Sequence, residues 1–219
     1  MVATAQTRWT AQDQASWREV QFPAKPHTVY SLDTQAPPDE RGLRTALKAD
    51  AQSSASMLRT PVRIEPADLA QVSFSWLVPT LIEHADMAHR DFDDSPVRVV
   101  LAFEGDRSTF SPKNAMLNEL TRLVSGEEMP YATLMYVWCN QRPVDSVIHN
   151  PRTDRIRKIV VESGGQGLKQ WRSYARDIRA DFERAFGEPP GALVGIGLMT
   201  DTDNTHSNAI AWYGPIALR

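Results

Sequence analysis

Apolar and polar residues alternate with a period of two through most of this chain. Val72, Phe74 and Trp76 set against Ser73 and Ser75 is the clearest case, the signature of a half-buried strand. Similar β-rich runs cover Thr28–Leu32, Arg44–Ala49, Val97–Phe103, Ala132–Cys139, Arg157–Ser163, Ala192–Thr200 and Ala209–Leu218, with weaker ones at Ser56–Ile64 and Gln170–Tyr174. Two segments carry helical spacing instead. The first opens with Ser111-Pro112 as cap and first turn, sets Leu117, Leu120 and Val124 on one stripe, and stops before Ser125-Gly126. The second runs from Arg176 to Phe186, aligns Ile178, Phe182 and Phe186, and ends at Gly187 and Pro189-Pro190. Strands do not alternate with helices, so a doubly wound parallel sheet is excluded. The pattern predicts a mainly β chain: an antiparallel β-sandwich with two short peripheral helices.

The 11 glycines and 15 prolines are spread evenly and no Ser/Gly/Pro-rich linker divides the chain. One sandwich domain is therefore expected over residues 28–219, behind a partly irregular N-terminal extension at 1–27. The 219 residues suffice for a sizeable core, and 42% hydrophobic with 23% charged residues excludes disorder and fibrous repeats. A net charge of -3 offers no basic excess for phosphates, so nucleic acid is not an expected partner. The single cysteine, Cys139, excludes an intrachain disulfide and a cysteine-built zinc site. No window reaches the roughly 18 apolar residues of a membrane helix, which predicts a soluble protein with no membrane span. The N-terminus lacks the basic start and apolar run of a secretion signal, so the chain is cytoplasmic unless a leader has been removed.

The densest polar motif, Asp201-Thr-Asp203-Asn204-Thr205, follows an apolar strand. Crowded carboxylates repel one another, and a hard cation relieves that repulsion, which makes Asp201, Asp203 and Asn204 candidate calcium ligands; a loop of Asx-turns accounts for them equally well. No other cofactor is indicated. Asp93 and Asp94 precede Val97–Phe103, whose polar position is Arg98. Carboxylate and guanidinium together suit sugar hydroxyls, or else form an internal ion pair. Tyr136 and Trp138 share one strand face and Trp76 lies on another strand; exposed, these rings stack on pyranose faces, and buried they are core. Lys48 and Arg98 are cations on otherwise apolar strands, and each must reach water, a carboxylate or a ring. One ligand-facing surface holding Lys48, Trp76, Asp93, Asp94, Arg98, Tyr136 and Trp138 is the resulting expectation. The five histidines form no metal pair, no Gly-x-Ser-x-Gly accompanies them, and Gly164-Gly165-Gln166-Gly167 reads as a hairpin turn, not a phosphate loop.

Several segments together resemble the bacterial family catalogued as domain of unknown function 3047. They are Ala46-Leu-Lys48-Ala-Asp50, Phe74-Ser-Trp76, Asp93-Asp94 before Val97-Arg98-Val99, Tyr136-Val-Trp138, Asn150-Pro151, Ile159 to Gly164, Trp171, Asp177 to Asp181 and Phe186-Gly-Glu-Pro-Pro190. The last two are Met199-Thr-Asp201-Thr-Asp203-Asn204-Thr205 and Ala211-Trp212-Tyr213-Gly214. The resemblance implies a jelly-roll sandwich similar to carbohydrate-binding modules and, because such proteins commonly carry an export signal, a periplasmic or cell-envelope location. It supplies no catalytic residue. The expected function is binding of a saccharide or other envelope polymer. The alternatives are a hydrolase or lyase acting on such a polymer, with a carboxylate pair from Asp93, Asp94, Asp201 and Asp203 or a base among Lys48, Tyr136 and His149, and a protein-interaction domain. Oligomeric state is not legible.

Overall fold

The computed structural model describes residues 8–219. In chain order the elements are β1 (Arg8–Trp9), β2 (Arg18–Gln21), β3 (Val29–Asp33), β4 (Ala46–Gln52), β5 (Ala55–Ile64), β6 (Gln71–Leu77), β7 (Ser95–Phe103), α1 (Pro112–Ser125), β8 (Ala132–Cys139), β9 (Val147–His149), β10 (Ile156–Ser163), β11 (Trp171–Asp177), α2 (Ile178–Phe186), β12 (Leu193–Asp201), β13 (Asn208–Tyr213) and β14 (Ile216–Leu218). They form a sandwich of two seven-stranded sheets. The front sheet runs β1-β14-β6-β13-β4-β3, with β11 paired to β6 on its other side, and the back sheet runs β2-β5-β12-β7-β8-β10-β9. Every pair is antiparallel except β8–β10, which is parallel, so the purely antiparallel expectation fails at this one place. The chain leaves β8, lays β9 at the sheet edge and returns β10 into the gap between them. The stretch expected as an N-terminal extension is partly woven into the sandwich: β1 pairs with β14 and β2 with β5.

The core lies between the sheets. On β7 the inward positions are Val97, Val99, Leu101 and Phe103; on β8 they are Ala132, Leu134, Tyr136 and Trp138; on β6 they are Val72, Phe74 and Trp76. Period-two alternation puts each set on one face. Phe74 stacks on Tyr136 at 5.5 Å between centroids and tilts against Trp76 at 5.0 Å, which locks front to back.

The two helices solve different problems. Helix α2 is capped by Asp177, whose carboxylate accepts from the Ala180 N–H at 2.9 Å, and ends at Gly187 in the left-handed conformation (φ 74°) that glycine adopts without strain. Its inner face buries Ile178 and Phe182, with Phe182 edge-on to Phe103 at 4.7 Å and stacked on Phe186 at 4.5 Å. Helix α1 has the expected cap at Ser111 and the expected stop at Gly126. Its expected stripe is not the buried one: Leu120 is 56% exposed, Met116 66% and Leu123 79%, while Asn114 and Asn118 are buried. Val124's side chain lies outside the described residues. The reason is polar anchoring. Asn114 bonds Thr153 Oγ1 at 2.7 Å and also Asp154, and Asn118 Oδ1 accepts from the Met129 N–H at 2.8 Å. At the far end Glu127 pairs with Arg18 of β2 and Arg59 of β5. The excursion holding α1 is thus tied near β10 and again at β2 and β5, at opposite sides of the back sheet.

Candidate functional site

The structure divides the expected surface into three parts. Trp76 and Tyr136 are wholly buried and Trp138 is 1% exposed, all inside the core, where Trp138 Nε1 donates to the Gly164 carbonyl at 3.0 Å. These three rings belong to the core and not to an exposed stacking face. They lie in phase with Leu134 and Val72, and those residues fix the inward face. The remaining candidates lie on the two outer faces, which point away from each other: Arg98, Asp93 and Asp94 on the back sheet, Lys48 on the front.

On the back sheet Val97 and Val99 point inward, so Arg98 points out, yet it is 2% exposed because the segment between β6 and β7 folds over it. Its Nε and Nη2 grip the two oxygens of Asp201 at 2.8 Å each, and Nη2 also reaches Asp93 at 3.2 Å. Sequence reasoning missed the next member. Lys158 of β10 is 0% exposed and donates through Nζ to Asp93 at 2.6 Å and to the Met87 carbonyl at 3.0 Å. The available signal was a lysine directly before the apolar Ile159-Val160-Val161 of a strand that also carries Arg157. The Ser95 N–H completes the coverage of Asp201 at 3.1 Å.

Burial, reinforced by Arg98 alongside, pushes Lys158 down to about 8, against the pull of Asp93. Burial likewise raises Asp201 to about 7, with Arg98 opposing and Asp94 and Asp93 adding to the rise. Burial also opposes the charge on Arg98, but Asp201 and Asp93 outweigh it and hold the guanidinium more firmly protonated than an ordinary arginine. The whole group is an internally neutralised charge network.

The candidate calcium ligands border this network. Asp201, Asp203 and Asp94 bring carboxylate oxygens within 4.8 Å of one another. The Asn204 amide nitrogen donates to the Arg90 carbonyl and its backbone N–H to Asp94. Asp94 is occupied by the N–H groups of Asn204 and Thr205 and by the Thr205 hydroxyl at 2.7 Å, Asp203 pairs with Lys25, and Asp201 with Arg98. A cation entering there would compete with Lys25 and Arg98 for these carboxylates. The loop is held from outside: Asp94 takes its N–H groups, and Arg98, Lys25 and the Arg90 carbonyl take the side chains of Asp201, Asp203 and Asn204. The Asx-turns of the alternative expectation are therefore not what engages these three side chains.

The front sheet is arranged differently. Leu47 and Ala49 are core, so Lys48 points outward, 3.4 Å from Asp50. Register places Lys48 opposite Trp212, Trp212 opposite Leu77, and Leu77 opposite Trp171, so the four residues form one row across β4, β13, β6 and β11. Leu77 is buried between the two half-buried indoles. Both indole N–H groups are held: Trp212 Nε1 donates to Asp33 at 2.8 Å and Trp171 Nε1 to the Pro37 carbonyl at 2.9 Å. Along the same face β6 and β11 carry Ser73, Ser75, Ser173 and Ala175, small side chains that leave the ground beside the row low. Neither tryptophan was a sequence candidate. The signal was Trp212 beside Tyr213: alternation forces one of them outward, and Tyr213 is core.

A family profile matches residues 15–217, described as protein of unknown function DUF3047. The chain belongs to the DUF3047 family. No curated protein sequence matches it. Among solved structures it is similar to the family 11 carbohydrate-binding module from Clostridium thermocellum in complex with a mixed-linked tetrasaccharide. The TM-score is 0.46 at 8% identity, covering 99% of this chain and 96% of that one. It is similar also to the cellulose induced protein Cip1 (TM-score 0.45, 9% identity, 94% of this chain and 92% of that one). The glycoside hydrolase domain of Spr0440, Endo-D, from Streptococcus pneumoniae R6 matches 92% of this chain at TM-score 0.36 and 7% identity, and there the chain spans 21% of its neighbour's length. These similarities concern the architecture and say nothing about a ligand of this chain. Among the described residues no helix is long and apolar enough to cross a membrane.

Proposed function

We propose that this DUF3047 protein binds a saccharide on the outer face of its front sheet, across the row Trp171, Leu77, Trp212 and Lys48. The observation that carries the reading is the pair of half-buried indoles set two strands apart, roughly 10 Å, with both ring nitrogens tied to the protein. Rings fixed in advance lose little freedom when a sugar stacks on them. Lys48, Asp50 and Asp33 supply donors and acceptors for hydroxyls beside the rings.

Binding is favoured over catalysis because a glycosidase needs two carboxylates free to act on substrate. Asp94, Asp201 and Asp203 are committed to loop N–H groups or cations, and Asp93 to Lys158 and Arg98. Of the candidate lyase bases, Tyr136 is core, leaving Lys48 and the exposed His149 on different sheets. A glycan array followed by tryptophan-fluorescence titration tests the proposal: binding to at least one neutral or acidic glycan, weakened in both Trp171→Ala and Trp212→Ala, is expected. Unchanged affinity in the two folded variants overturns it. A second reading, docking of a protein partner, draws on the exposed apolar positions Met116, Leu120 and Leu123 of α1. Leu120→Lys would then abolish a pull-down partner while leaving the glycan titration unchanged.

A further inference from the structure

Toward the edge of the back sheet away from β2, Arg155, just before β10, and Arg157 of β10 meet the aromatic residues around α2. Arg155 is fully engaged: it pairs with Glu188 at 3.1 Å and Asp154 at 3.4 Å, and its guanidinium lies over the Tyr131 ring at 5.0 Å. Arg157, two residues on, is different. Its guanidinium lies 5.5 Å from the centre of the Phe186 ring and its Nη1 donates to the Ile156 carbonyl at 3.2 Å. Among the described residues no carboxylate forms an ion pair with it, and its Nε is buried without an acceptor. Burial lowers its pKa; nearby Asp154 pulls the other way without reaching it, and Arg155 adds to the lowering.

A half-buried guanidinium that lacks a carboxylate, and has one donor orphaned, is a standing cost to the fold. The fully buried Arg98 of the back sheet, the half-buried Arg59 and the half-buried Arg155 just before β10 each have their acid. The Phe186 ring holds the charged plane in position without neutralising it. Opposite Arg157 in register, on the edge strand β9, stands the exposed His149, so the two side chains share a face. An oxyanion brought to this edge supplies the missing negative charge to the part of the guanidinium that stays open, while Nε remains enclosed behind it.

We propose that Arg157, with His149 beside it, is an oxyanion-binding site at the β9–β10 edge, taking the carboxylate of an acidic sugar or a phosphate group. The site does not rest on the saccharide reading of the front sheet, because it lies on the other sheet and shares no residue with the Trp171–Trp212 row.

The test is a titration of the whole protein with sodium phosphate and, separately, with sodium glucuronate. Sodium chloride at matched ionic strength and glucose serve as controls, and the arginine Nε–H resonances are followed by NMR. Arg157 Nε–H should shift with at least one oxyanion and with neither control. Phosphate alone would identify a phosphorylated ligand and glucuronate alone an acidic sugar. Arg157→Met should weaken binding at least tenfold, and Arg157→Lys, which keeps the charge but not the fork, should weaken it by a similar factor. Trp212→Ala should leave it unchanged, which separates failure here from failure of the front-sheet proposal. An equal response in Arg157→Met, a shift that chloride reproduces, or no shift with either oxyanion overturns the site.

Discussion

Each outer face of the sandwich carries cations on strands that also build the core, and the two faces treat them in opposite ways. On the back sheet the segment between β6 and β7 closes over Arg98 and Lys158, Asp201 and Asp93 pair with them, and water is excluded. On the front sheet Lys48 keeps part of its surface in water beside Trp212, while the β3–β4 connection reaches only far enough to anchor Trp171 through Pro37. Strand parity is the same in both cases. What differs is the covering loop, and it decides whether a cation becomes part of the scaffold or stays available to a ligand.

The sharpest way to break this contrast is to remove a back-sheet carboxylate. Asp201→Ala leaves Arg98 buried with only Asp93 for company, and a loss of about 3–5 kcal/mol is expected from urea unfolding, the usual effect of stranding a buried charge. A loss below about 1 kcal/mol would mean that the network does not hold the back sheet together.

The pH dependence comes next. Lys158 in the folded protein is lowered to about 8 from 10.5, so the folded state sheds this proton earlier than the unfolded chain. Its contribution is therefore fully present above pH 10.5, and is lost as pH falls through about 8. Asp201, raised to about 7 from 3.8, works in the other direction: its contribution is present below about pH 3.8 and is lost as pH rises through 7. Together the two groups place the network's weakest contribution between about pH 7 and 8. Unfolding midpoints measured from pH 6 to pH 10 should rise on the alkaline side in the wild type, and Lys158→Met should flatten that limb. An unaltered limb in the variant would assign the effect to other groups.

On the front sheet the ordering of effects should reverse. Trp212→Ala should weaken glycan binding about tenfold, equivalent to about 1.4 kcal/mol, while costing far less stability than Asp201→Ala. Paired fluorescence and urea titrations of the two variants check this, and Asp201→Ala losing affinity while Trp212→Ala keeps it would invert the assignment of the faces. The smallest effect is expected on α1, where Leu120→Ala should change stability by no more than about 0.5 kcal/mol, because that side chain touches little. Thermal unfolding would reveal a larger change.

How far the sequence reaches is visible in particular residues. Strand β8 runs over Ala132–Cys139 as its apolar composition predicts, and α2 buries Phe182 and stops at Gly187 as its spacing and glycine predict. Those features are local, and local patterning specifies them. The direction in which Tyr136 and Trp138 point is not local. It depends on which face meets the other sheet, and an alternating strand is compatible with both choices. Helix α1 shows the same limit: its ends follow from Ser111 and Gly126, but its buried side is chosen by Asn114 and Asn118, whose partners stand 39 and 11 residues away along the chain. Lys158 was hidden for a related reason, since its acid arrives from Asp93, 65 residues earlier. The Trp171–Trp212 row needs three strand registers at once, and no single segment contains it.

The insertion of β10 between β8 and β9 sets an order of events. A parallel neighbour cannot be reached by a tight turn, so β10 has no route to β8 through local chain reversal, whereas β9 and β10 close as a hairpin. Contacts close along the chain cost less loop entropy to form than distant ones, so the hairpin is expected to form first and to dock as a unit carrying Lys158. On that order the lysine gives up its hydration as the hairpin meets β8 and Asp93, so burial of this charge is expected to slow assembly as well as to shape the finished protein.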